Sequence, residues 1–88
     1  MKFEWDEHKN EANIKKHGIA FEDASKIFLR PRIEKRSDRG GERRYITVGE
    51  VNNRIIAVVY TPRGDKIRII SARKARKNEE REYRSIQG

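Results

Sequence analysis

The sequence predicts a small α+β domain, on three observations. Apolar residues recur at helical spacing before Pro31 and alternate with a period of two after it. Strong strand formers gather in Tyr45–Val51, Arg54–Tyr60 and Lys66–Ser71, with turn residues between them. A charged helical stretch closes the chain. Consecutive strands joined by tight turns make an antiparallel meander. The expectation is a sheet of three or four antiparallel strands with two N-terminal helices and a C-terminal helix, in one domain over residues 1–88.

Taken in order, Phe3 and Trp5 alternate with charged neighbours, as in a short strand or a staple onto the helix that follows. Asp6 is placed to cap that helix, over about Glu7 to His17, and Gly18 to end it in a left-handed conformation. Only Ala12 and Ile14 give it apolar surface, so its packing face is thin. A second helix is expected from Phe21 to Leu29. There Phe21, Ala24 and Phe28 share a face with Ile27 beside them, and Arg30-Pro31 stops it. Both helices are expected on one side of the sheet. Arg32 to Arg36 reads as a charged edge strand and Arg39-Gly40-Gly41-Glu42 as a turn. Tyr45 to Val51 and Arg54 to Tyr60 form a hairpin across Asn52-Asn53. Thr61 to Asp65 is the next turn, with Pro62 and Gly64 suitably spaced, and Lys66 to Ser71 the last strand. In that strand Ile67 and Ile69 face one way, Arg68 and Ile70 the other. Arg76 to Ile86 is the C-terminal helix.

Composition narrows the function. Charged residues make up 41% and hydrophobic ones 34%, near the balance of disordered chains, but the clustering of the apolar residues argues for a fold. No cysteine is present, which removes disulfide scaffolds, thiol nucleophiles and cysteine zinc sites. The longest apolar run, Ile55 to Tyr60, is far short of the ~20 residues of a membrane span. The first residues lack the apolar stretch of a secretory signal, so a soluble, cytoplasmic protein is expected. His8 and His17 stand nine apart without an acidic cluster, and Gly40-Gly41 lacks the context of a phosphate loop. Neither a metal site nor a cofactor is expected.

The net charge is +8, and it is uneven. Residues 1–29 hold 5 basic and 6 acidic residues, residues 30–59 hold 8 and 4, and residues 60–88 hold 9 and 4. The basic excess of the last two-thirds is mostly arginine, whose planar fork grips phosphate oxygens in pairs. This charge suits a polyphosphate or an acidic partner. Metal-independent RNA cleavage needs few parts. The 2′-hydroxyl is the nucleophile, and the protein supplies a base, an acid and positive charge on the phosphorane.

The candidate residues each carry a plainer reading as well. Histidine changes charge near neutral pH. His17 shares a helix face with Asn13 and adjoins Lys16, or it simply caps the helix terminus. Arg63 is a turn arginine or a phosphate ligand. Arg68 interrupts apolar strand residues, so it is paired with an acid or held for phosphate. Arg73 lies five positions on and joins Arg68 on one face only if the strand bulges or ends near Ser71-Ala72. In the last helix Arg76 pairs weakly with Glu80, and Tyr83 is a core tyrosine or a catalytic hydroxyl. Trp5 is a core residue or a platform for a base.

Phe3-Glu4-Trp5-Asp6, Lys9, Asn13, Lys16-His17-Gly18, Phe21, Ala24 and Phe28 resemble the opening of BrnT-family toxins. The second half is similar too, through Glu42-Arg43, Val58-Val59-Tyr60-Thr61, Arg63-Gly64, Arg68 to Arg73, Ala75, Glu80 and Tyr83. The resemblance implies a RelE-like fold and a ribonuclease toxin of a bacterial type II toxin–antitoxin pair. It also implies a BrnA-type antitoxin as partner, with operator DNA bound only through the complex. Carried over by position, Arg63 and Arg73 are the candidates for transition-state charge stabilisation and His17 for acid or base, with Tyr83 beside them. Lys16, Arg68, Arg76 and Trp5 are candidates for holding RNA. The alternative class is a non-catalytic basic module that binds nucleic acid or docks an acidic partner.

Overall fold

The computed structural model describes residues 1–87. Its strands are β1 (Lys2–Glu4), β2 (Ile33–Arg36), β3 (Tyr45–Val51), β4 (Arg54–Arg63) and β5 (Lys66–Lys74), in the sheet order β1-β5-β4-β3-β2. The helices are α1 (Glu7–His17), α2 (Phe21–Ala24), which runs on into a 3₁₀ segment Ser25–Leu29, and α3 (Lys77–Gln87).

The chain is α+β, but the expected sheet is corrected. It has five strands, and it is mixed, because β1 pairs in parallel with β5 through Lys2↔Lys66, Phe3↔Ile67 and Glu4↔Arg68. The short strand offered by the alternation around Phe3 is present at Lys2–Glu4, but its parallel pairing with β5 has no local signal. It is held by tertiary contact, Phe3 lying 5.3 Å from the Phe28 ring. The turn expected at Thr61–Asp65 is also shorter, for β4 continues to Arg63. Tyr60 faces Tyr45, the first residue of β3, so the β3–β4 pairing ends there, and beyond it Thr61 Oγ1 donates to Arg43 O at 2.6 Å. Pro62, which has no N–H to donate, stands there opposite Ile67 of β5.

Local signals set α1. The Asp6 carboxylate accepts from Lys9 N–H at 3.1 Å, and Gly18 follows the helix at φ 69° with its N–H on Ile14 O at 2.8 Å. The second helix is not continuous. Its tighter 3₁₀ half carries Ile27 and Phe28 onto the sheet, where Ile27 meets Gly49 so closely that a Cβ on that glycine would lie 2.9 Å from the Ile27 Cβ. Phe28 lies edge-on to Tyr60 at 5.1 Å. Phe21, Ile27, Ile56 and Ile69 are fully buried in this layer, each stabilising the fold by about 1.5–3 kcal/mol. On the sheet's other face a smaller cluster of Val48, Ile55 and Ala57 is covered by Ala75 and Tyr83.

Two devices decide what that second face presents. Between the pairs Val59↔Ser71 and Tyr60↔Ile69 the strand β5 holds one extra residue, Ile70. Because of this bulge, Ile69 and Ala72 both enter the helix-side core although they are three apart. Arg68 and Arg73 therefore share the opposite face. The second device is Asn13, which is buried in α1. Its Nδ2 donates to Ala72 O at 2.8 Å and Ile19 O at 2.9 Å, while its Oδ1 accepts from Ala72 N–H at 3.1 Å. The side chain closes the edge of β5 where β1 has ended.

Candidate active site

A groove of about 400 Å³ opens on the second face beside α3, lined by Ser37, Asp38, Arg39, Arg44, Ile46, Val59, Ile70, Ser71, Arg73 and Arg76. Strands β3, β4 and β5 give it an apolar floor. The connection between β2 and β3 forms one wall. The end of β5 and the start of α3 form the other.

The β2–β3 wall is shaped by a two-residue turn, Gly40-Gly41, with φ of 57° and 79°. Arg39 and Glu42 exchange backbone hydrogen bonds of 3.0 and 2.9 Å across it. Both φ values suit glycine, and they hold Arg39 and Arg44 side by side on the rim. Asp38 fastens the wall, accepting from Arg36 Nε at 2.6 Å and Arg44 N–H at 3.2 Å. The Arg36 guanidinium holds the Asp38 carboxyl below the usual carboxylate range. Arg44 Nε donates to Glu42 at 2.7 Å and lowers its pKa in the same way.

On the opposite wall Arg73 is forked onto Glu79, Nη1 to Oε1 at 2.8 Å and Nη2 to Oε2 at 3.0 Å. The Arg73 bond holds the Glu79 carboxyl below its ordinary range, and burial opposes it. Glu79 Oε1 also accepts from Arg76 N–H at 2.7 Å, closing the first turn of α3. Arg73 Nη1 donates further to Lys74 O at 3.3 Å. Four guanidinium groups thus line the groove against the single carboxylate of Asp38. Such a surface has the charge and the fixed donors that a phosphate chain, or the charge developing on a phosphorane, calls for.

Of the residues picked out in the sequence, Arg73 and Arg76 line the groove. Arg63 stands next to it, 4.0 Å from the Glu42 carboxylate that also holds Arg44. Arg68 is on the same face but pairs with Glu4 at 2.9 Å, at the β1 edge. Tyr83 is 4% exposed and packs under α3 beside Ala57, itself paired with Arg73. Trp5 lies edge-on to Phe21 at 6.1 Å and donates to Glu7 at 3.3 Å, away from the groove lining. Lys16 and His17 end α1, also outside that lining. Arg39 and Arg44 are not among the residues that the sequence singles out, and Glu79 stands out there only as a neighbour of Arg76, Glu80 and Tyr83, with no role of its own. Arg39 and Glu42 read as plain turn residues, and the only local hint of the third is its place three residues after Arg76, where helix caps put an acid.

The model of a protein family described as "Ribonuclease toxin, BrnT, of type II toxin-antitoxin system" matches residues 5–79. The chain belongs to the BrnT family. The match takes in both walls of the groove and ends on the carboxylate that holds Arg73. Comparison with the curated proteins gives no match. Membership of this family makes the chain a ribonuclease toxin of a type II toxin–antitoxin system, with an antitoxin for partner and RNA for target. Among the described residues no helix is long and apolar enough to cross a membrane.

Proposed function

We propose that this BrnT-family chain is an endoribonuclease that cleaves RNA by metal-independent transesterification in the arginine groove. The RNA 2′-oxygen bonds to the adjacent phosphorus and the bond from phosphorus to the 5′-oxygen breaks. The 2′-hydroxyl loses its proton and the departing 5′-oxygen gains one, leaving a 2′,3′-cyclic phosphate. Arg73 takes the developing charge, with Arg44, Arg39 and Arg76 on the neighbouring phosphates and Arg63 entering through Glu42. His17, Tyr83, Lys16, Arg68 and Trp5 are the further residues to be tested, His17 and Tyr83 as acid and base. The arrangement is read as RelE-like. A BrnA-type antitoxin neutralises the toxin in the cytoplasm, and operator DNA is bound only by the pair.

The observation that carries this reading is the half-buried Arg73, which holds unused N–H donors in a groove with three more arginines. A supporting one is that Asp38, the only carboxylate lining the groove among the described residues, is taken up by Arg36 and Arg44. The test is cleavage of RNA by the purified, partner-free protein in EDTA, beside Arg73→Ala and Arg73→Lys. We expect cyclic-phosphate ends from the wild type and a rate loss of about 100-fold or more in both variants, as for removal of one fixed oxyanion donor. Equal cleavage by all three would remove Arg73 from the site, and cleavage abolished by EDTA would remove the metal-independent mechanism. One observation favours the non-catalytic alternative: among the described residues no histidine, lysine or tyrosine lines the groove. RNA bound and left intact, with or without ribosomes, would decide for it.

A further inference from the structure

We propose that Glu79 is a positioning residue, which turns one edge of the Arg73 guanidinium toward the groove and keeps it there for the RNA phosphate. The inference rests on the nuclease reading above and names a residue that reading does not use. A guanidinium carries five N–H donors in a fixed plane. In Arg73 both Nη1 donors and one of Nη2 are occupied, by Glu79 and by Lys74 O. The two left are Nε–H and the second Nη2–H, which point along one edge with the spacing of two phosphate oxygens. The carboxylate is itself anchored, since its Oε1 also accepts the Arg76 N–H at the start of α3. Arg73 and Glu79 side chains are 19% and 14% exposed, so the pair is largely out of water. Freed from it, Arg73 would regain its rotamers and be pushed outward by the arginines it faces.

Glu79 acts on RNA in two opposite ways. Its negative charge beside the groove opposes RNA, so by charge alone its loss tightens binding. Its hold on Arg73 serves the transition state, so its loss slows the chemical step. A structural or purely electrostatic role does not produce that split.

The experiment compares wild type, Glu79→Gln, Arg73→Ala and the double variant, all verified as folded by circular dichroism. Glu79→Gln keeps an oxygen for the Arg76 N–H and sets an amide against Nη2. We read kcat and KM on a short RNA, and affinity for its 2′-O-methyl analogue, which cannot be cleaved. The expected result for Glu79→Gln is a kcat at least tenfold lower with KM and analogue affinity unchanged or improved, and no further loss in the Arg73→Ala background. Unchanged kcat, a loss carried by KM, or an additive loss in the double variant would overturn the proposal. If the wild type binds RNA and does not cleave it, the nuclease reading falls and the Arg73 Nε–H resonance decides. A shift on adding the analogue that Glu79→Gln abolishes supports the placement, and an equal shift in both overturns it.

Discussion

At the scale of single residues, charge in this protein is governed by who already holds it. Arg73 and Glu79 are a mostly buried pair, whereas Arg63 with 56% of its side chain exposed reaches its acid only at 4.0 Å. The first is a fixed feature of the surface and the second a mobile one, worth little to stability. The depressed Glu79 pKa has a consequence for stability against pH. The folded state binds this proton less tightly than the unfolded chain does. The pair therefore contributes fully above the ordinary carboxylate range, and the contribution is lost as pH falls through the lowered folded value. In urea unfolding, Glu79→Gln is expected to cost about 1–2 kcal/mol at pH 7, with wild type and variant converging at acid pH. A difference that stays constant down to pH 3 would show that the stabilisation does not come from the charge.

At the scale of elements, the most local signals were also the most legible in the sequence. The limits of α1 and its two caps, and the Asn52-Asn53 hairpin with φ of 52° and 61°, stand where side-chain chemistry alone sets them. What local reading misses is set by contacts far apart in the chain. The place of β1 beside β5, in parallel, depends on the edge that β5 offers it, and the second helix tightens where Gly49 admits Ile27. The groove was half legible. Arg73 and Arg76 could be named, but the bulge that turns Arg73 into the open face depends on how β5 meets β4. Arg39 and Arg44 flank the turn legible at Gly40-Gly41, but nothing local says that this turn folds against the groove. Asn13 is a similar case: a helix asparagine in the sequence, a strand substitute in the structure. Asn13→Ala leaves the Ala72 N–H and C=O buried without partners. We expect a loss of about 2–4 kcal/mol by chemical denaturation, against well under 1 kcal/mol for the exposed Asn78→Ala. Equal small losses would mean that water replaces the amide at the β5 edge.

At the scale of the whole molecule, the two faces of the sheet do different work. One is closed by α1, α2 and the 3₁₀ segment, and the other is only partly covered by α3, which leaves the arginine groove open. The net charge of +8 favours RNA in general, and in the function proposed above the groove fixes where the phosphates rest. With four groove arginines engaged, the logarithm of affinity for single-stranded RNA is expected to fall against the logarithm of salt concentration with a slope of about −3. Arg39→Ala should flatten it by about 0.7. A slope unmoved by that change would put the phosphates elsewhere on the surface.

The extra residue at Ile70 imposes a rule of counting on everything that follows it. From Ile70 onward the chain is one step out of phase with the even alternation of a plain strand, and Arg73 owes its outlook to that odd step. A different side chain at position 70 preserves the count. Removal of the residue would take out the odd step itself and leave Ala72 inside and Arg73 on the open face, whereas a strand straightened with Ile70 kept would carry Arg73 into the oily interior and bring Ala72 out in its place. The outlook of Arg73 thus depends on whether the odd step is kept folded out as a bulge, and not on which side chain fills position 70.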